Sequence, residues 1–306
     1  MTTEEKVERA LELYDQYSRS SGIELRGEIL QLLLSATEEG SPRAPGILGD
    51  FYYSEMNIVD RDNEKGWEYY ELAASRGDGY GFYMMYIRES VHGDHLKATE
   101  YLYRSAEAGT YPYSMLIYGE SLYHLDIVKG LEWVKKAAEK GCNIAYIVLA
   151  AMTRYQPYVK DRNQSFIYLQ KAIECGGYVA YEAYYLMGYY YDFGVGTKVN
   201  HREARKYYKL AIKAEMYEEE AIGMIGRHYI RGLGGLKQDF DKGIKLLLTA
   251  IKKEACTPDI YLELSNCYQN GKGVKKNLRL AKQYETLAKK AEEEFYRTFI
   301  NRMMNQ

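Results

Sequence analysis

Seven times along the chain an Asp or Asn is followed after four residues by Ala, Gly or Ser, after seven by a large residue, and after eleven by Ala or Ser. The leading column is Asp62, Asp94, Asp126, Asp161, Asn200, Asp239 and Asn277, and the small residues that follow it are Gly66, Ala98, Gly130, Ser165, Ala204, Gly243 and Ala281. Tyr69, Tyr101, Trp133, Tyr168, Tyr207, Leu246 and Tyr284 come next, then Ala73, Ser105, Ala137, Ala172, Ala211, Ala250 and Ala288. The steps between leading residues are 32, 32, 35, 39, 39 and 38, a period that belongs to stacked helical hairpins. Such units share one continuous core, so 306 residues are expected to make a single elongated all-α domain rather than two globules.

Each leading Asp or Asn suits a helix N-cap, where its side chain accepts from a first-turn amide and complements the helix dipole. Small residues at +4 and +11 and a large one at +7 put a notch and a knob on one helical face. Gly77, Gly109, Gly141 and Gly176 are placed to end these helices in the left-handed conformation. Glu215 and Glu254 replace glycine there, which predicts helices one turn longer. A preceding helix is marked by Leu48-Gly49 then Tyr52, Met187-Gly188 then Tyr191, Ile225-Gly226 then Tyr229, and Leu264-Ser265 then Tyr268. The four tyrosines are expected in the core.

Composition adds bounds. No run approaches the roughly 20 apolar residues that span a bilayer. The start, MTTEEKVERALELYDQY, lacks the regions of a secretory signal, so a cytoplasmic location is expected. Cys142, Cys175, Cys256 and Cys267 show no recurring pair and are expected as reduced thiols. Residues 1–100 carry 10 Lys+Arg against 20 Asp+Glu, and residues 201–306 carry 21 against 14. That asymmetry reads either as electrostatic steering of a partner or as drift in solvated lysines such as Lys275, Lys276, Lys289 and Lys290.

LMGYYYDFGVGTKVNHREARKYYKLAI, IGRHYIRGLGGLKQDFDKGIKLLLTAI and LSNCYQNGKGVKKNLRLAKQYETLA resemble the Sel-one-like repeat, a relative of the tetratricopeptide repeat. The resemblance is strong over 183–291, good for second helices from 62 onward, and weaker in the first helices near 81–92 and 113–124. It implies a right-handed α/α superhelical solenoid of about seven repeats within 41–291. Residues 1–40 are expected as a divergent capping repeat, and 292–306 as a lone C-terminal capping helix.

No catalytic constellation is visible. His92-Gly93-Asp94-His95 has metal-ligand chemistry, but Asp94 is already a cap, and His124, His201 and His228 are scattered. No metal site is expected. There is no nucleophile elbow or HExxH helix, and the glycine loops lack the Lys-Ser/Thr ending of a phosphate loop, so no cofactor is expected. Asn163-Gln164-Ser165 has glycosylation form but sits at a helix start.

In tetratricopeptide-like solenoids the first helices line the concave side. Taking helix positions about 100° per residue from the packing stripe, the groove-facing offsets select Asp50 and Tyr53; Tyr80 and Tyr83; Arg154; Tyr185, Tyr189 and Asp192; Arg227; Asn266 and Gln269. These types are common in binding hot spots, although a chain with 34 tyrosines also uses Tyr as a general surface residue. The expected role is a non-enzymatic scaffold or adaptor holding a protein or peptide in the groove. One alternative is RNA or anionic-membrane binding by the basic C-terminal third. The other, implied by the resemblance, is β-lactam binding or hydrolysis like some cysteine-rich relatives, whose within-repeat disulfide this chain lacks.

Overall fold

The computed structural model describes residues 1–20, 24–54, 58–123, 125–154, 162–255 and 257–304, and among them there are only helices and no strand. Asp161, His124 and Cys256 lie outside the described residues. No described helix is long and apolar enough to cross a membrane. The chain divides into two compact units, residues 1–142 and 143–306.

The first unit runs α1 (Thr3–Ser20), α2 (Leu25–Glu38), α3 (Arg43–Tyr53), α4 (Asn63–Ser75), α5 (Gly79–His92), α6 (His95–Ala108), α7 (Pro112–Tyr123) and α8 (Ile127–Glu139). The α1–α2 hairpin caps it: Val7, Ala10, Leu13, Ile29 and Leu33 share a buried cluster with Ala44, Leu48 and Phe51 of α3. Arg76, just past α4, donates to the carbonyls of Thr37 at 2.8 Å and Ser41 at 2.9 Å, satisfying acceptors beyond the end of α2.

The second unit runs α9 (Ala145–Arg154), α10 (Arg162–Cys175), α11 (Gly177–Phe193), α12 (His201–Lys213), α13 (Glu218–Arg231), α14 (Phe240–Lys252), α15 (Pro258–Asn270) and α16 (Leu278–Met304). A separate helix over 292–306 is not seen, because α16 continues unbroken. The residue fifteen after each cap explains this. Gly77, Gly109, Gly141 and Gly176 all take positive φ, whereas Glu292 at the same place in the last repeat remains helical.

Glu215 and Glu254 do not prolong their helices either. They adopt φ of +55° and +70°, the left-handed stop made without glycine, at a steric cost of about 1–2 kcal/mol each.

Six caps are observed directly. Asp62, Asp94, Asp126, Asn200, Asp239 and Asn277 accept from the amides of Lys65, Lys97, Lys129, Glu203, Lys242 and Leu280 at 2.9–3.2 Å. The amides of Asp62, Asn200, Asp239 and Asn277 in turn donate to the carbonyls of Tyr52, Tyr191, Tyr229 and Tyr268 at 2.8–2.9 Å, which closes each loop onto its first helix.

The core column differs from the sequence expectation by one residue. In six repeats the deepest large side chain of the second helix stands at +8, not +7: Tyr70, Leu102, Val134, Leu169, Tyr208 and Leu247 are all at most 4% exposed. The +7 residues are mostly half-buried, and three of them stack on the first-helix tyrosine of their own repeat. Tyr52–Tyr69, Tyr191–Tyr207 and Tyr268–Tyr284 lie 5.6–5.7 Å apart and 12–15° from parallel. Tyr52, Tyr191, Tyr229 and Tyr268 are therefore half-buried stacking residues rather than core, and Lys65 and Lys242 lie over Tyr52 and Tyr229 at 4.3 and 4.2 Å.

Candidate functional site

The sequence-selected residues gather into one cluster in each unit. In the first, Asp50 on α3 is held between α4 and α5, its Oδ1 accepting from Tyr70 Oη and Tyr80 Oη, each at 2.7 Å. Burial pushes the Asp50 carboxyl above its usual range despite these two donors, because no cation stands beside it among the described residues. The rings extend outward from this pair. Tyr80 meets Tyr111 at 5.1 Å, Tyr83 meets Tyr111 at 4.9 Å and Tyr113 at 6.0 Å, and Tyr53 packs edge-on against Trp67 at 5.4 Å.

Asp50, Tyr53, Tyr80 and Tyr83 are thus brought together, half-buried. Burial, followed by the neighbouring phenols of Tyr111, Tyr113 and Tyr86, raises the Tyr83 phenol to about 12. Tyr113 at the edge is 40% exposed. Sequence reasoning missed Tyr70, Tyr111, Tyr113 and Glu120. Tyr113 and Glu120 stand at groove offsets from Gly119, where the weak repeat pattern hides the register. Burial alone pushes the Glu120 carboxyl upward as well.

The second unit is organised around Asp192, whose side chain is fully buried at the end of α11. Its Oδ1 meets His201 Nδ1 at 2.6 Å and His228 Nε2 at 2.7 Å, and its Oδ2 accepts from Arg227 Nη1 at 3.0 Å. Burial would raise this carboxyl. The hydrogen bonds and charges of His228, His201 and Arg227 outweigh burial and hold it below its usual range. Arg227 also lies 3.8 Å from Glu263, which accepts from Arg231 Nε at 2.7 Å.

His201 opens α12 immediately after its Asn200 cap. Gly234, with φ +61°, packs on the His201 backbone: a Cβ there would stand 2.7 Å from the His201 carbonyl oxygen, so only glycine lets this loop close on it.

This placement corrects two expectations. Asp192 and Arg227 are an internal ion pair rather than groove-facing contacts, with Arg227 only 9% exposed. His201 and His228 are not scattered, since they meet on one carboxylate oxygen. No periodic signal could have shown this, because His201 follows a cap and His228 lies two residues after Gly226 in the next repeat.

Of the remaining residues, Tyr185 packs on Tyr208 at 5.9 Å and Tyr217 at 5.5 Å. Tyr189 lies 4.3 Å from Phe193 and beneath the Arg154 guanidinium at 4.7 Å. Asn266 accepts from Asn270 Nδ2 at 2.6 Å, and Gln269 is exposed on α15 apart from both clusters. In the first unit, His92 Nδ1 meets the Arg88 carbonyl at 2.6 Å and Asp94 is occupied as a cap.

The chain matches the Sel1 repeat family pattern seven times, over residues 47–78, 80–110, 114–142, 149–177, 182–215, 220–254 and 260–290. The chain belongs to the Sel1 repeat family. No curated protein matches it. Among solved structures, it is similar to a protective antigen of uropathogenic Escherichia coli with an SLR fold, at 19% identity and a TM-score of 0.64 over 92% of this chain. The match spans 64% of that longer chain. It is also similar to a Sel1 repeat protein from Oxalobacter formigenes, at 20% identity and a TM-score of 0.51, covering 97% of this chain and 87% of that one. Both likenesses carry the fold. Sel1 repeats generally serve protein–protein interaction.

Proposed function

We propose that this Sel1 repeat protein is a non-enzymatic cytoplasmic adaptor and that its first unit supplies a docking surface, built on Asp50, Tyr53, Tyr80, Tyr83 and Tyr113, for a basic peptide segment of a protein partner. The observation that carries this reading is the Asp50 cluster: a half-buried carboxylate raised by burial with no cation at hand, set among tyrosine rings that reach the surface. An Arg or Lys from a partner would supply the missing charge, and the rings would stack on it.

The charge balance of the unit agrees. Residues 1–142 carry 15 Lys+Arg against 25 Asp+Glu, whereas residues 143–306 carry 26 against 18. Cations of the second unit are drawn into local pairs such as Lys253–Glu218, Lys206–Glu203 and Arg231–Glu263, which argues against a continuous basic surface for RNA or lipid. The test is affinity capture with mass spectrometry, comparing the wild type with Tyr83→Ala/Tyr113→Ala. Proteins captured specifically by the wild type should be lost with the double variant, measured well below the melting temperature of each protein. Equal capture by both would overturn the reading.

A further inference from the structure

Asp192, His201 and His228 come from three successive helices, α11, α12 and α13, and offer three ligand atoms that all lie within 4.8 Å of one another. Their chemistry is two imidazole nitrogens and one carboxylate oxygen, the donor set that suits first-row divalent metals. We propose that these three side chains form a binding site for a divalent transition-metal ion.

Three features favour this over a closed hydrogen-bond knot. Arg227 engages the other carboxylate oxygen, Oδ2, and so aims Oδ1 at the two imidazoles, the orienting role of an outer-shell partner. His201 retains 28% of its side-chain exposure whereas His228 and Asp192 have none, so the cluster is shut on the inside and open to solvent on one side.

The third feature is polarity in excess of what the network uses. Tyr208 Oη and His228 Nδ1 are fully buried and have no hydrogen-bond partner. Tyr208 sits edge-on to His228 at 5.9 Å between ring centroids. Buried polar atoms without partners are rare, and two beside one triad point to an occupant that reorganises it.

The fit requires a small adjustment. Ligands about 2.1 Å from a tetrahedral zinc stand roughly 3.4 Å from one another, while the Asp192–His201 and Asp192–His228 contacts are 2.6 and 2.7 Å. The side chains must therefore part by somewhat less than 1 Å, and the half-exposed His201 at the start of α12 is the one free to move. A dication would join Arg227 and Arg231 and face the carboxylates of Asp192, Glu263 and the half-buried Asp259, leaving one positive charge in excess.

The experiment is titration of the chelator-stripped full-length protein with Zn²⁺ against a chromogenic competitor, with melting temperature as a second readout. One equivalent should bind, raising the melting temperature. His201→Ala should weaken zinc binding at least tenfold and abolish the zinc-induced thermal shift, measured against the variant's own zinc-free melting curve. His92→Ala/His95→Ala, at the exposed pair in the first unit, should change neither. Absence of stoichiometric binding, undiminished binding by His201→Ala, or loss of binding in His92→Ala/His95→Ala would each overturn the proposal. Should His201→Ala prove unstable, Asp192→Asn, which preserves shape and a hydrogen-bond acceptor, must show the same loss for the proposal to stand.

Discussion

Asp50 in the first unit and Asp192 in the second are both aspartates on a first helix, each hemmed in by aromatic rings, yet their carboxyl groups shift in opposite directions. Burial acts upward on both. Asp50 is met only by two phenols, and burial wins. Asp192 is met by two imidazoles and a guanidinium, and burial loses. One repeat scaffold thus carries a carboxylate that lacks a cation and another that has cations in surplus of need. The first is an open electrostatic demand that a protein partner can answer; the second has its counter-charges within the unit, where they also hold the donor set of the proposed metal site.

The largest test of this contrast is removal of each carboxylate. Asp192→Ala strands a nearly buried guanidinium and two imidazoles, and should cost about 3 kcal/mol or more in a denaturant melt. Asp50→Ala strands no charge and should cost clearly less.

The next contrast uses one residue type in one repeat column. Tyr70 and Tyr208 both stand eight residues after their caps and are both buried, but Tyr70 donates to Asp50 whereas Tyr208 Oη has no partner. Tyr70→Phe should therefore cost about 1–2 kcal/mol, while Tyr208→Phe in metal-free buffer should be neutral or stabilising. Equal losses in the two variants would erase the distinction.

Smaller effects are expected outside the clusters. Glu254 holds φ +70°, so Glu254→Gly should raise stability by about 1 kcal/mol through relief of left-handed strain. A loss instead would mean that the glutamate side chain contributes more than its backbone costs.

The smallest effect is on pH dependence. Because the folded-state value of Asp50 is raised, the native state binds more protons than the unfolded chain between the ordinary carboxylate range and that raised value. Its contribution to stability therefore falls as pH rises through this window, opposite in sign to the acid-labile contribution of a paired carboxylate. Asp50→Asn should flatten that segment of the melting-temperature profile and leave stability at neutral pH slightly higher. A drop at neutral pH would show that the ionised carboxylate is satisfied after all.

The repeat architecture was legible because it is periodic. The caps, the small residues and the glycine stops each recur at fixed offsets, so seven weak signals reinforce one another. The core column was misplaced by one residue because Tyr69 and Tyr70, or Tyr207 and Tyr208, are the same residue type, and identity cannot say which ring turns inward. Asp50, Tyr53, Tyr80 and Tyr83 were found by helix geometry, since their cluster follows the shared register. The Asp192 network was not legible. It depends on a histidine just past a cap, another two residues after a glycine, and a loop glycine leaning on the first, three placements unique to two adjacent repeats.

The central claim is that the Asp50 cluster is available for protein docking whereas the rings around the Asp192 region pack the fold and do not hold a protein partner. Side-by-side capture and melting of two double variants tests it most directly. Tyr83→Ala/Tyr113→Ala should lose the partners that the wild type retains while staying folded and melting only modestly earlier. Tyr185→Ala/Tyr189→Ala, which removes rings packed on Tyr208, Tyr217 and Phe193, should melt markedly earlier and keep those partners below its transition. The reverse pattern, with partners lost from the second variant at full stability and kept by the first, would contradict the account.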